Sequence, residues 1–280
     1  MITDKETNTI YFSEKLETYF PKTCNQIIEA LKSKGIEPKF LPNTNDIWAR
    51  DFMPIQVSEN KFIEYRYDPD YLQAKKYRKL KSYPDIVCES IDLKTQKTNL
   101  IIDGGNVIKS KDCVILTDKV IQENKDYYTK ENLINKLREL FEIEKIILIP
   151  WDKNEPYGHA DGMIRFINEN SVLVQKYFDE YDEVFRNKFF GELDKHGLSW
   201  EKMEFNVENE NENNWGYLNF LQTQNIILLP VFGIEEDDQA FKQMKNYYPD
   251  YSDDRILKIN MSEIIENGGA LNCISWTIKE

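Results

Sequence analysis

The 280-residue sequence predicts one α/β domain over residues 1–280, built as a five-unit α/β propeller with pseudo-fivefold symmetry. Three observations predict it. Hairpin-like segments, helix-like stretches and short strand-like runs recur in one order along the chain. A polar motif precedes each hairpin-like segment. The motif residues Asp51, Asn106, Asp161, Asn219 and Cys273 stand 55, 55, 58 and 54 residues apart.

The first unit opens with a lone strand over Thr9–Ser13. A helix over Lys22–Lys34 stops at Gly35, and a strand over Glu37–Leu41 follows. The next four units each begin with a hairpin. These are Met53–Val57 with Lys61–Tyr67, Asn106–Lys109 with Cys113–Thr117, Gly162–Ile167 with Ser171–Tyr177, and Tyr217–Leu221 with Ile226–Phe232. Their turns are short and polar between β-branched and aromatic runs, the usual hairpin pattern.

Helices are expected after the hairpins, over Tyr71–Lys81, Glu131–Phe141, Asp182–His196 and Glu236–Tyr247. Thr129 reads as an N-cap for the second of these. In the third, Val184, Phe185, Phe189 and Leu193 lie at helical spacing before Gly197. Strands are then expected over Asp85–Leu93, Ile146–Ile149, Met203–Val207 and Ile256–Ile259. The fifth hairpin has a single strand, Leu271–Ile278. Pairing it with Thr9–Ser13 would close a ring and remove two exposed edges. An open doubly wound sheet would instead need a GxGxxG phosphate turn. Asp103-Gly-Gly-Asn106 lies between strands and lacks that spacing.

Composition narrows the function. Hydrophobic residues make up 41% and aromatics 13%, enough for a packed core despite 30% charged residues. A net charge of −13 disfavours nucleic acid and anionic membranes, and favours small cationic ligands. No apolar run approaches a membrane span. Without a signal-like start, Cys24, Cys88, Cys113 and Cys273 read as free thiols in a cytoplasmic protein. Two histidines are too few for a multi-His metal site. No cofactor is expected, and a homo-oligomer is compatible with the sequence.

The motif ends carry Asp51, Asp103, His159, Asp161, Asn219 and Cys273. One thiol, one imidazole and several carboxylates suggest nucleophilic catalysis by cysteine with a histidine acid/base. Clustered carboxylates oppose thiolate formation, so such a site suits a substrate that brings its own positive charge. A guanidinium is permanently protonated, and its planar donors match carboxylates in bidentate pairing.

At these positions the sequence resembles a known family. Asn45-Asp-Ile-Trp-Ala-Arg-Asp-Phe-Met-Pro54, Asp103-Gly-Gly-Asn106, Gly158-His-Ala-Asp-Gly162 and Gly268-Gly-Ala-Leu-Asn-Cys273 look like signatures of agmatine deiminases and bacterial-type peptidylarginine deiminases. Tyr217-Leu-Asn-Phe and the run to Gly233 are similar too. The likeness runs from about Asp46 to the C-terminus. It implies the pentein fold of guanidine-modifying enzymes, with deimination to a ureido product and ammonia through a covalent thiouronium, without a metal. It implies Cys273 as nucleophile, His159 as general acid/base, and Asp51 and Asp161 as grips on the guanidinium. Asp103 would orient His159, Trp48 would wall the pocket, and Asn219 would be a supporting polar group. Two departures stand out: Asn272 occupies a position where the agmatine enzymes usually carry His, and the N-terminal segment is abbreviated.

Agmatine is the expected substrate. Arginine or peptidyl-arginine deimination and amidino transfer are alternatives on the same groups, and a silent propeller binding cationic peptides is the non-enzymatic one. Other residues read more plainly. Cys24, Cys88 and Cys113 are expected as small buried hydrophobes, and His196 as a cation at a helix end. Arg50 is expected in a structural ion pair, Arg165 is a candidate contact for a substrate carboxylate, and Glu208–Asn214 reads as a solvated loop.

Overall fold

The computed structural model describes residues 1–251 and 254–280. Among the described residues the strands form five three-stranded sheets. In chain order the strands are β1 (Thr9–Ser13), β2 (Lys39–Leu41), β3 (Ile55–Ser58), β4 (Lys61–Arg66), β5 (Gln96–Ile101), β6 (Ile108–Lys109), β7 (Cys113–Thr117) and β8 (Lys145–Ile149). They continue with β9 (Ile164–Asn168), β10 (Ser171–Gln175), β11 (Ser199–Met203), β12 (Leu221–Gln222), β13 (Ile227–Val231), β14 (Ile256–Asn260) and β15 (Ser275–Ile278).

Every sheet repeats one plan: an antiparallel pair, then a parallel strand on the far side of the central one. The intervening chain supplies the helical crossover that parallel pairing demands. The sheets number the same as the units read from the sequence, and the fold is mixed α/β. The first sheet joins both chain ends. Its β1 pairs antiparallel with β15, with Thr9 opposite Ile278 and Phe12 opposite Ser275, and parallel with β2. The orphan strand thus finds the expected partner.

Most expected helices form. The one over Pro21–Lys32 is followed by Gly35 at φ +70°, a left-handed stop that glycine adopts without Cβ strain. Lys130–Phe141 has Thr129 as N-cap, its side chain accepting from the Asn132 N–H. Glu183–Lys195 and Asp237–Tyr247 also match expectation. These helices press apolar faces onto the sheets, leaving apolar clusters between sheet and helix layers.

Four expectations need correction. Asp85–Leu93 is not a strand: Pro84–Ser90 is a helix with proline at its first turn, where a missing N–H costs nothing. The third strand of that unit is the more polar Gln96–Ile101. Met203–Val207 is likewise replaced by Ser199–Met203, an edge strand with mostly polar, partly exposed side chains that hide its periodicity. The helix over Tyr71–Lys81 shrinks to a turn at Asp70–Leu72 and one at Lys75–Arg78. Tyr217 lies not in a strand but in the helical turn Asn214–Leu218, so its hairpin starts at Leu221.

Candidate active site

The segments entering the antiparallel pairs of the five sheets supply the buried polar residues. Asp51 lies on the short helix Ala49–Phe52 before β3, and Asp103 caps the turn Gly104–Asn106 before β6. His159 and Asp161 precede β9, Asn219 follows the turn Asn214–Leu218, and Cys273 precedes β15. All six side chains are buried.

The structure brings them together. His159 Nε2 lies 3.0 Å from Asp103 Oδ2, and His159 Nδ1 lies 3.6 Å from Asp51 Oδ1. Cys273 Sγ lies 3.4 Å from Asp161 Oδ2, which also accepts from Asn272 Nδ2 at 2.7 Å. Asn219 Oδ1 accepts the main-chain N–H groups of Ala270 and Cys273, each at 3.1 Å. Close main-chain approach makes this possible. A Cβ on Gly105 would stand 2.7 Å from both Asp51 Oδ1 and His159 Nδ1. A Cβ on Gly269 would collide with the Trp48 ring and approach Cys273 Cβ to 3.0 Å, which places Trp48 against the thiol-bearing loop.

Electrostatics follow from burial among carboxylates. Burial alone would favour neutral His159, but Asp51, Asp103 and Glu155 outweigh it and raise its pKa to about 10. Burial pushes the Cys273 thiol well above its ordinary range, and the charges of Asp161 and Asp51 push it further. Burial also raises Asp51 well above the usual carboxylate range; His159 opposes this, while Asp103, Asp161 and Asp46 reinforce it. At neutral pH the pocket therefore holds an imidazolium, a neutral thiol and an excess of acidic groups. Asp51 Oδ1 and Asp103 Oδ1 are buried and accept no hydrogen bond. Among the described residues no set of His, Cys, Asp and Glu side chains is arranged to hold a metal ion.

Several contributors were not legible in the sequence. The Tyr71 hydroxyl donates to Asp103 Oδ2 at 3.0 Å, and its ring lies edge-on to those of Tyr157 and His159. Glu155 accepts from the main-chain N–H groups of Tyr157, Gly158 and His159, fixing the histidine segment. Tyr65 OH donates to the carbonyls of Asp51 and Met53. Asp46, which accepts from the Trp48 N–H, is raised by burial to about 7. Only the motif membership of Asp46 could have flagged any of them.

Other expectations resolve plainly. Among the described residues Arg50 makes no close ion pair; its Nε donates to the Asn272 carbonyl at 3.3 Å. Arg165 donates to Leu218, Phe220 and Asp4 instead of facing a substrate carboxylate. Cys24, Cys88 and Cys113 are buried free thiols. His196 stands at the end of its helix, 3.7 Å from Glu192. The Glu208–Asn214 stretch is mostly solvent-exposed. Among the described residues, no helix is long and apolar enough to cross a membrane.

Comparison with known proteins agrees with this layout. Residues 2–278 match the profile of the Porphyromonas-type peptidyl-arginine deiminase family. A Mycoplasma mycoides protein named "Putative agmatine deiminase" is 24% identical over 222 residues, covering 68% of this chain and 60% of the relative. A Lactococcus lactis protein of the same name is 25% identical over 285 residues, covering 83% of this chain and 74% of the relative. The chain thus spans about 60% of the length of the first curated relatives it matches. The solved structure of the C. jejuni agmatine deiminase superposes with a TM-score of 0.77 at 18% identity, covering 100% of this chain and 96% of that one. That likeness carries the fold.

Proposed function

The chain belongs to the Porphyromonas-type peptidyl-arginine deiminase family, and from that premise we propose that it is a cysteine-dependent deiminase acting on a small guanidine. The observation that carries this reading is the convergence of the Cys273 thiol and the His159 imidazole with the carboxylates of Asp161, Asp51 and Asp103. In this reading the five sheets form a closed five-unit propeller within a single domain over residues 1–280, with the site at one mouth. Pairing of β1 with β15 supports closure.

The guanidinium binds between Asp51 and Asp161, replacing the missing positive charge. Its charge lowers the thiol pKa, the Cys273 proton passes to solvent water, and the Sγ electron pair bonds to the guanidinium carbon. The neutral tetrahedral adduct then takes a proton from the His159 imidazolium onto one amino nitrogen. The carbon–nitrogen bond breaks with its electron pair on nitrogen, ammonia leaves, and a cationic thiouronium remains on Cys273. His159, now neutral, accepts a proton from a water that attacks the same carbon. Collapse of this second adduct breaks the carbon–sulfur bond with its electron pair on Sγ, the added hydroxyl passes its proton to the departing sulfur, and the ureido product leaves with the Cys273 thiol restored. Asp103, held by Tyr71, orients the imidazole, and Trp48 walls the pocket.

Agmatine is the preferred substrate in this reading, because Arg165 is committed to Asp4 and two carbonyls and offers no clamp for an α-carboxylate. Ureido-product formation from agmatine, free arginine and a peptidyl-arginine, measured in parallel with Cys273→Ala as control, tests it. Agmatine turnover abolished in the variant is the expected result. No ureido product from any of the three overturns the deiminase reading.

A further inference from the structure

Away from the Cys273 thiol, a small recess lies among Arg50, Gln56, Gly104, Lys109, Trp276 and Thr277. It contains two cationic side chains, and among the described residues lining it there is no carboxylate. Lys109 is 7% exposed, and its partner Asp4 sits in an adjoining recess, 3.4 Å from Lys109 Nζ and 3.3 Å from Arg165 Nη2. The charge of Arg50 also acts on Asp4, so one carboxylate serves three cations: Lys109, Arg50 and Arg165. A second observation points the same way. Thr277 is 2% exposed, and its hydroxyl is buried without a hydrogen-bond partner. A buried donor and two cations in a protein carrying a charge of −13 form an unfinished polar site.

Gln56 does not complete it, because its amide is already engaged by Lys279 on both atoms. The inner space admits roughly one water-sized sphere, too little for a carboxylate or phosphate. We propose that this recess holds a monatomic halide, chloride in the cell, between Arg50, Lys109 and Thr277. The ion supplies the missing negative charge and accepts the Thr277 hydroxyl. It also fixes a residue that reaches the other site: Arg50 donates its Nε to the Asn272 carbonyl and its main-chain N–H to the Cys273 carbonyl at 3.0 Å. Halide binding thereby braces the loop that carries Cys273.

Bromide carries the same charge as chloride, is only slightly larger and scatters anomalously, so crystals of the intact protein soaked in sodium bromide test the site directly. The expected result is an anomalous peak in contact with Lys109 and Thr277 that disappears in Thr277→Val, which keeps the side-chain volume, and in Lys109→Met. In solution, the melting temperature should rise saturably when chloride replaces gluconate at constant ionic strength, and Thr277→Val should lose that rise. If Lys109→Met does not fold, Thr277→Val carries the comparison alone. Absence of the peak, peaks at surface lysines only (an adventitious ion only), or an unchanged chloride response in Thr277→Val overturns the proposal. Neither readout depends on the deiminase reading.

Discussion

Asn219 Oδ1 accepts the main-chain N–H of Cys273 at 3.1 Å, from a different sheet unit, and accepts that of Ala270 as well. One side chain thus sets the backbone carrying the thiol, while its own carbonyl accepts the Asn272 N–H at 2.9 Å. Asn219→Ala leaves two buried N–H groups without partners, at a cost of about 1–3 kcal/mol each. We expect a lower midpoint of urea denaturation and loss of turnover. Asn219→Asp keeps the acceptor but adds a negative charge beside the thiol, so it should retain more stability than the alanine variant while still turning over poorly. Equal destabilisation by both substitutions would rule out the acceptor role.

The chain has only two histidines, so their ring signals can be followed separately by NMR. His159 should stay protonated through neutral pH and titrate near pH 10, whereas His196, lowered by burial and Lys195, should titrate below the usual histidine value. The sign of the linkage follows. His159 has a folded pKa of about 10 against about 6.5 unfolded. Its contribution to stability is complete below the unfolded value and is lost as pH rises through the folded one. The stability gap between wild type and His159→Gln should accordingly be widest below pH ~6.5 and narrow towards pH ~10. A gap independent of pH would contradict the ion-pair environment.

Cys273 should react slowly with iodoacetamide at neutral pH, because burial and then Asp161 and Asp51 hold the thiol protonated. Asp161→Asn removes one of those charges. Its alkylation at fixed pH should be faster, by about tenfold for each unit by which the thiol pKa falls, while the proposed role of Asp161 in holding the guanidinium predicts loss of turnover. Slower or unchanged alkylation would show that burial alone sets the thiol.

Gly105 is the point where backbone passes closest to Asp51 and His159. Gly105→Ala would put a methyl group 2.7 Å from both Asp51 Oδ1 and His159 Nδ1, so one of them must move. Activity should fall by an order of magnitude or more, since small displacements of reacting groups cost rate steeply. The conservative contrast is Tyr71→Phe, which removes one hydrogen bond from Asp103 and leaves the ring contacts. With the carboxylate less stabilised, the alkaline limb of the rate profile should move to higher pH. Full activity of Gly105→Ala would remove the claim of close fit.

The sequence pattern was sufficient where an element buries a distinct face or is apolar along its whole length. Cys113–Thr117 and Lys145–Ile149 are nearly continuous apolar strands because they pair in parallel and are covered on both sides. Pro84–Ser90 failed the same reasoning, since the short apolar run Ile86, Val87 and Cys88 reads equally well as strand or helix. Edge strands such as Ser199–Met203 carry little apolar signal, for the same reason that they resist edge-to-edge association.

The sequence by itself determined the number of units, their order, the pairing of Thr9–Ser13 with the last strand and the group of polar residues at the motif ends. These are local patterns repeated at a fixed spacing, and repetition survives weak identity. Only the tertiary structure decided how the groups meet: His159 between Asp51 and Asp103, the Cys273 thiol on Asp161, Asn219 on the thiol backbone, and Tyr71 on Asp103. Each of those contacts joins segments distant in the chain, so no periodicity encodes it. The pKa of His159 follows from the same cause, because charge and burial act through space and not along the sequence.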